Sequence, residues 1–482
     1  MKQHTTARKL RPWTREIAPT LKLAMPIMAG MVSHMLMGLA DTVMVGHVGV
    51  TPLAASSFVN LLLHPPVTFG LGLLSAVAIL TSQAFGAKNS EQAGHALRNG
   101  LLASIAFGLL VAVGAHLLAT HLDRFGQEPA VASESHAYLI ICGWSVMPAL
   151  IAHAAKQFSE ALNHAWMPNF LLLAGVALNV FLNWILIYGN LGAPALGLAG
   201  AGWATLLARI VVAIVMMIYL ALNTELKAYL PTHWFADLHF ARIKQLLTLG
   251  GPVAAQHFLE VGAFAFAALM MGWFSAEALG AHQIAITSAA TTFMFMVGLG
   301  MAVCIRVGHA FGARKFQRTR RIGFVGIALA AAGMSLFGLM FITLRFPLAR
   351  AFINDPEVIR LTAQFFIVAA LFQIADGVQV TAMSALRGLS DVKIPAFIAI
   401  LAYWMIAIPL GYILAFRIEY GPIGIWWALA LGLGIAATTH TWRFQHRTIL
   451  LLNPPLSNCG SLDHATNPSD SSPHKETHTP HR

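Results

Sequence analysis

The chain has 482 residues, of which 57% are hydrophobic and only 10% charged, with a mean hydropathy of +0.69. That composition excludes a soluble enzyme. A formal charge of +11 could suggest a nucleic-acid partner, but the placement of the basic residues speaks against it.

A transmembrane helix needs about 20 predominantly apolar residues. In chain order, about twelve such runs are predicted, over 21–45, 52–80, 93–121, 132–154, 166–188, 195–222, 243–271, 279–307, 322–344, 358–386, 394–416 and 423–442. They group into a first lobe at 21–222 and a second at 243–444, with an N-terminal segment at 1–20 and a linker at 223–242. The first run follows a basic leader, but it is too long for a secretion signal, contains Asp41 and lacks a clear small-residue cleavage site. It reads as a retained helix. The tail, 445–482, becomes rich in Pro, Ser, Thr, Asn and His, with few groups that could build a core, and reads as disordered. The expected fold is an all-α polytopic membrane protein.

Threading the runs with the N-terminus inside places 24 of the 30 Lys and Arg in the tails and even-numbered connections and 5 in the odd-numbered ones. Arg209 is the one basic residue left well within a run. The clusters Arg8, Lys9, Arg11, Arg15 and Arg314, Lys315, Arg318, Arg320, Arg321 then share one side, which the positive-inside rule assigns to the cytoplasm. Both termini are expected there. Cys142, Cys304 and Cys459 are too scattered for a disulfide framework or a metal site and read as packing residues.

Sliding the chain against itself by 226 positions superposes Pro26 on Pro252, Met44 on Met270, Gly46 on Gly272, Phe69 on Phe295 and Gly72 on Gly298. The loop QAFGAK at 83–88 falls on HAFGAR at 309–314. A duplication of six spans each is implied, an even number, so both halves enter the membrane from the same side. Repeats of that kind surround an axis along the membrane normal and place their sites between or within the lobes.

Three carboxylates, Asp41, Glu260 and Asp376, fall inside the apolar runs. A charge at mid-membrane costs roughly 2.5 to 3.5 kcal/mol, so each needs an ion, a proton or a polar partner. That points towards ion-coupled transport. His34 and Asp41 lie seven apart, two helical turns, on one face, and the repeat register sets His34 opposite Glu260. Gln256 and His257 precede Glu260 by four and three residues, and Gln373 and Gln379 flank Asp376 by three on either side. If those two helices face each other, Glu260 and Asp376 form a paired site: either oxygens hold a hard cation such as Na+, or burial and mutual repulsion keep one proton on the pair. Asn179 and Asn183, four apart, offer amides to an ion or substrate, or else act as interhelical glue worth about 0.6 kcal/mol. Asn60 and His64 repeat that spacing and read as structural. The many Met and Phe residues suit varied apolar cations, although most must be packing. No phosphate-binding loop, zinc-protease motif or nucleophile elbow is present, so an ion gradient rather than a nucleotide is the expected energy source.

Taken together, GLADTVMVGHVG around Asp41, QAFGAKN, LNVFLNWILIYG around Asn179, LEVGAFAFAALMMG around Glu260, GAHQIA, RVGHAFGAR and FQIADGVQVTAMSALRG around Asp376 resemble the multidrug and toxic compound extrusion (MATE) family, especially its NorM-like bacterial branch. The resemblance spans the chain to about Trp442 and implies a twelve-helix, two-lobed antiporter exporting organic cations and amphipathic drugs in exchange for Na+ or H+. No further cofactor, no nucleic acid and a monomer in the lipid bilayer are implied. It also implies a second-lobe cation site at Glu260 and Asp376 and a first-lobe site at Asp41 with Asn179. Phe372 stands where sodium-using relatives can carry a tyrosine, and Asn183 where some carry an acid, which leaves the choice of ion open. A flippase for a lipid-linked sugar would be expected to line its cavity with several Arg or Lys. A membrane enzyme would need a nucleophile or metal constellation, and a passive channel a filter-like loop.

Overall fold

The computed structural model describes residues 12–231, 234 and 240–453, which form helices with no strand among them. Twelve of the helices are long and apolar enough to cross a membrane. They are α1 (Ile17–Gly46), α2 (Val50–Gly86), α3 (Ser90–Ala119), α4 (Pro129–Ala161), α5 (Trp166–Leu186) and α6 (Gly197–Leu222) in the first lobe. The second lobe holds α7 (Phe240–Gly272), α8 (Ala276–Gly312), α9 (Phe316–Thr343), α10 (Pro356–Gly388), α11 (Lys393–Arg417) and α12 (Pro422–Leu452). In lipid every backbone group must be satisfied within the segment, which leaves the helix as the solution for runs of this kind.

The duplication is visible in the backbone. Pro26 lies inside α1 and Pro252 inside α7, at equivalent places. Lys88 and Arg314, each just after an AFGA loop, both adopt left-handed φ, +58° and +55°. Packing repeats as well: α4 touches α2, α3 and α6, and α10 touches α8, α9 and α12. Since lipid tails are as apolar as leucine, helices associate through close packing of small residues. Accordingly Ala152, Ala154, Ala155 and Ala161 are buried on α4, and Ala363, Ala369, Ala370, Ala382 and Ala385 on α10.

The lobes meet through α2 with α7, α1 with α8, and α2 with α8. Glycine permits two of these crossings. A Cβ on Gly72 would come within 2.7 Å of Ala254 Cα, and its counterpart on Gly298 within 2.8 Å of Met28 Cα. At the end of the molecule that carries Arg15, Arg314, Lys315 and Arg318, here the basic face, Gly86 packs on the His309 carbonyl and Gly312 on that of Gln83. Gln83 Nε2 also donates to the Gly388 carbonyl and to Ser390 Oγ, both at 2.9 Å. Three ion pairs cross the seam there. Glu16, only 7% exposed, pairs with Arg306 and, at 3.0 Å, with Arg318, while Arg242 lies 4.0 Å from Glu91. The seam is closed at the basic face.

One boundary and one helix interior differ from the sequence expectation. The tail expected from 445 starts later, because α12 continues to Leu452: Phe444 and Thr448 are buried, and Arg443 and Arg447 pair with Asp391 at 2.8 and 3.2 Å. Those polar residues read as an exit from the membrane when they are helix packed on its neighbour. The remainder of that tail, Cys459 included, lies outside the described residues, as do 1–11 of the N-terminal segment and most of 232–239 in the linker. Helix α11 is the other departure: it interrupts its α-helical turns with two wide, π-type turns, Leu401–Ala407 and Ile413–Arg417, on either side of Ile408–Tyr412. Pro409, which lacks an amide hydrogen, sits in the segment between them.

Candidate ion-coupling sites

In the first lobe, α5 lays Asn179 and Asn183 on one buried face turned to α1 and α6. Asn183 Nδ2 donates to Asp41 Oδ1 at 2.6 Å and to Asn179 Oδ1 at 3.4 Å, and Asn179 Nδ2 donates to Thr205 Oγ1 on α6 at 3.3 Å. Asp41, Asn179 and Asn183 are thus brought together as expected, in a network that includes Thr205. One turn beyond Thr205 on α6, Arg209 Nη1 donates to Ser145 Oγ on α4 at 2.7 Å, and its charge acts on Asp41. Both asparagines are fully buried, and Asn183 Oδ1 has no partner among the described residues. The His34 side chain lies outside the described residues. Asn60 and His64 are exposed, in keeping with a role outside the site.

In the second lobe, Glu260 on α7 and Asp376 on α10 lie close enough for the charge of one to act on the other. Asp376 is 6% exposed. The partner of Glu260 is one the sequence reading passed over: Tyr403 Oη donates to Glu260 Oε1 at 2.8 Å from the first wide turn of α11. Phe372 has no oxygen to give, and it packs edge-on against Phe264 and Trp426. Phe264 in turn meets Tyr403 edge-on, with ring centroids 5.7 Å apart. A phenol therefore reaches this site from α11 rather than from α10. Gln379 is buried with neither end of its amide hydrogen-bonded among the described residues, and Gln373 Oε1 accepts from Thr292 Oγ1 at 2.8 Å.

Gln256, four residues before Glu260, makes its bonds elsewhere. Its amide donates to Met383 Sδ at 2.6 Å and accepts from Arg387 Nη2 at 3.3 Å. Arg387, assigned from sequence to a connection, is buried on α10 and also lies 3.5 Å from His257 Nε2. The second lobe therefore has an internal base of its own, and Arg209 is no longer alone. Two carboxylates, a phenol and neutral amides form an oxygen-rich set suited to a hard monovalent cation or a proton. No cluster of three or more His, Cys, Asp or Glu suited to a transition metal occurs among the described residues.

A MatE family model matches residues 26–185 and again 252–413, one copy per lobe. Among similar proteins, a probable multidrug resistance protein NorM of Bradyrhizobium diazoefficiens is 34% identical over 89% of this chain and 93% of its own. One of the same name from Rhodopseudomonas palustris is 34% identical over 91% and 94%. The fold superposes on the Vibrio cholerae MATE transporter VcmN in its bent form with a TM-score of 0.83, at 20% identity over 92% of this chain and 99% of that one. An outward-facing multidrug resistance MATE family transporter gives 0.82, at 17% identity over 91% and 97%. With two family matches in register with the internal repeat and identity of this extent along nearly the whole length, the chain belongs to the multidrug and toxic compound extrusion family, in its NorM-like branch.

Proposed function

We propose that this protein is a multidrug efflux transporter of the bacterial inner membrane that exchanges organic cations or amphipathic drugs for Na+ or H+ by alternating access. The observation that carries the reading is the second-lobe site: two carboxylates held in the membrane interior, with a phenol hydrogen-bonded to one of them and no permanent positive group in direct contact with either. Such a pair favours a cation that comes and goes. The relatives' name supports a drug as the outward cargo.

In this scheme a cationic drug and the coupling ion compete for the same negative charge. Ion entry neutralises Glu260 and Asp376 and weakens the hold on the drug; loss of the ion on the other side restores it. Linkage makes the effect reciprocal, so drug binding must weaken ion binding by the same factor. The Asp41 network of the first lobe is a second place for a proton or cation, with Asn183 supplying a donor where an acid would add charge. By the positive-inside rule the basic face is the cytoplasmic one, so the closed seam described above belongs to a state shut towards the cytoplasm. The protein acts as a monomer, each chain containing both lobes.

Efflux of a fluorescent cation from proteoliposomes, with Na+ and proton gradients imposed separately, tests this. One gradient alone should drive export, and Glu260→Gln or Asp376→Asn should abolish the gradient dependence. Export that persists undiminished in both variants overturns the proposal.

A further inference from the structure

A cavity of about 510 Å³ opens on the seam at the basic face, away from the acidic sites. Lys22, Phe85 and Trp166 line it from the first lobe, and Arg306, Lys315 and Arg318 from the second. Four cations thus surround it against one nearby acid, Glu16, which is already shared between Arg306 and Arg318. The amines of Lys22 and Lys315 have no hydrogen bond or ion pair among the described residues. Trp166 is 62% exposed at the start of α5, the height at which aromatic residues settle between lipid tails and headgroups.

The internal repeat provides a control for what the fold alone requires. At the equivalent positions of the other seam stand Thr248 for Lys22, Leu80 for Arg306, Asn89 for Lys315 and Gln92 for Arg318. That seam packs α2 against α7 as this one packs α8 against α1, with neutral residues in all four places. Lys22 and Lys315, which make no ion pair across the seam, are therefore not needed to join the lobes.

We infer that this cavity is a binding site for the phosphodiester headgroup of an anionic phospholipid of the adjacent leaflet. The surplus of unneutralised cations supplies the charge complement, the apolar wall at Phe85 and Trp166 receives the upper acyl chain, and pockets between helices with this mixture of basic and apolar lining suit anionic headgroups. Because the wall is built from both lobes, the lipid binds only while the seam is closed. An occupied site therefore favours the state shut at the basic face.

The test reconstitutes the full chain in vesicles containing either phosphatidylglycerol or phosphatidylcholine with brominated acyl chains, at equal bromine content. Fluorescence quenching that is present in the parent and lost in Trp166→Phe isolates the signal of Trp166. That signal should be quenched more by the brominated phosphatidylglycerol, and Lys22→Gln with Lys315→Gln should weaken the preference roughly thirtyfold, at about fivefold per lysine. The single Lys22→Gln variant should fall between, and the pair Lys227→Gln with Lys244→Gln, an equal loss of charge on the same face, should retain the preference. Equal quenching by the two lipids overturns the inference. So does a preference that survives loss of Lys22 and Lys315, or one that inorganic phosphate abolishes at matched ionic strength, which would mark a site for the free anion.

Discussion

Replacing Gly312 by alanine should push the lobes apart at the basic face. Gly312 ends α8 against the Gln83 carbonyl, and an added methyl group would stand inside contact distance of that oxygen, which is backbone and cannot turn away. Overpacking of this kind costs about 1–3 kcal/mol. The cost falls only on the state in which the lobes touch, so the closed population should drop roughly 5- to 160-fold relative to the open one. Gly86→Ala, which meets the His309 carbonyl in the mirrored position, should act alike, whereas Gly114→Ala on α3, with nothing within 4 Å, should not. Spin labels at Gln92 and Gln317, both exposed on the basic face of opposite lobes, report the separation in a background lacking Cys459, since Cys142 and Cys304 are buried. Double electron–electron resonance should show a longer-distance population growing in both seam variants. Distance distributions identical to the parent in both would refute the assignment of these crossings as the closure.

Two further changes have separate readouts. Tyr403→Phe keeps the ring against Phe264 but removes the donor to Glu260; a hydrogen bond to a charged group is worth about 1.5–3 kcal/mol. Because that donor stabilises the ion-free carboxylate, its loss in a sodium-coupled cycle should lower the sodium concentration that half-saturates the drug-free protein by up to roughly 10- to 150-fold, and an unchanged value would reduce Tyr403 to packing. Asp391→Asn should lower the thermal unfolding midpoint, because it leaves Arg443 without its buried partner, a loss of about 3 kcal/mol. Glu357→Gln, which breaks an exposed pair with Arg360, should leave that midpoint almost unmoved.

Hydropathy was enough to place the spans because a helix is what apolar runs of this length become in lipid. The duplication was legible because identical residues such as Pro26 and Pro252 recur at one offset. Helical spacing, a local property, put Asn179 and Asn183 on one face; that Asp41 joins them is a contact between helices, for which the family resemblance alone gave a sign, at Asn179. Tyr403 could not be anticipated: a single tyrosine in an apolar run has the signature of packing, and the wide turn that carries it leaves no trace in the periodicity. Arg387 escaped for a different reason. It lies at the end of its run, and only the contact between α7 and α10 turns its guanidinium inward to Gln256.

The ion pairs across the seam have reversed polarity in the two lobes: an acid, Glu16, leads α1, and a base, Arg242, stands at the equivalent place on α7. If two first lobes met in the same geometry, Glu16 would confront Leu80 and Gln92 with Glu91 beside them; two second lobes would set Arg242 against Arg306 and Arg318. The first pairing strands the buried Glu16 without a base, at several kcal/mol, and the second sets like charges against one another. Each half is thus fitted to its unlike sibling, and the ancestral option of a half-length protein doubling with itself has been closed by its own side chains.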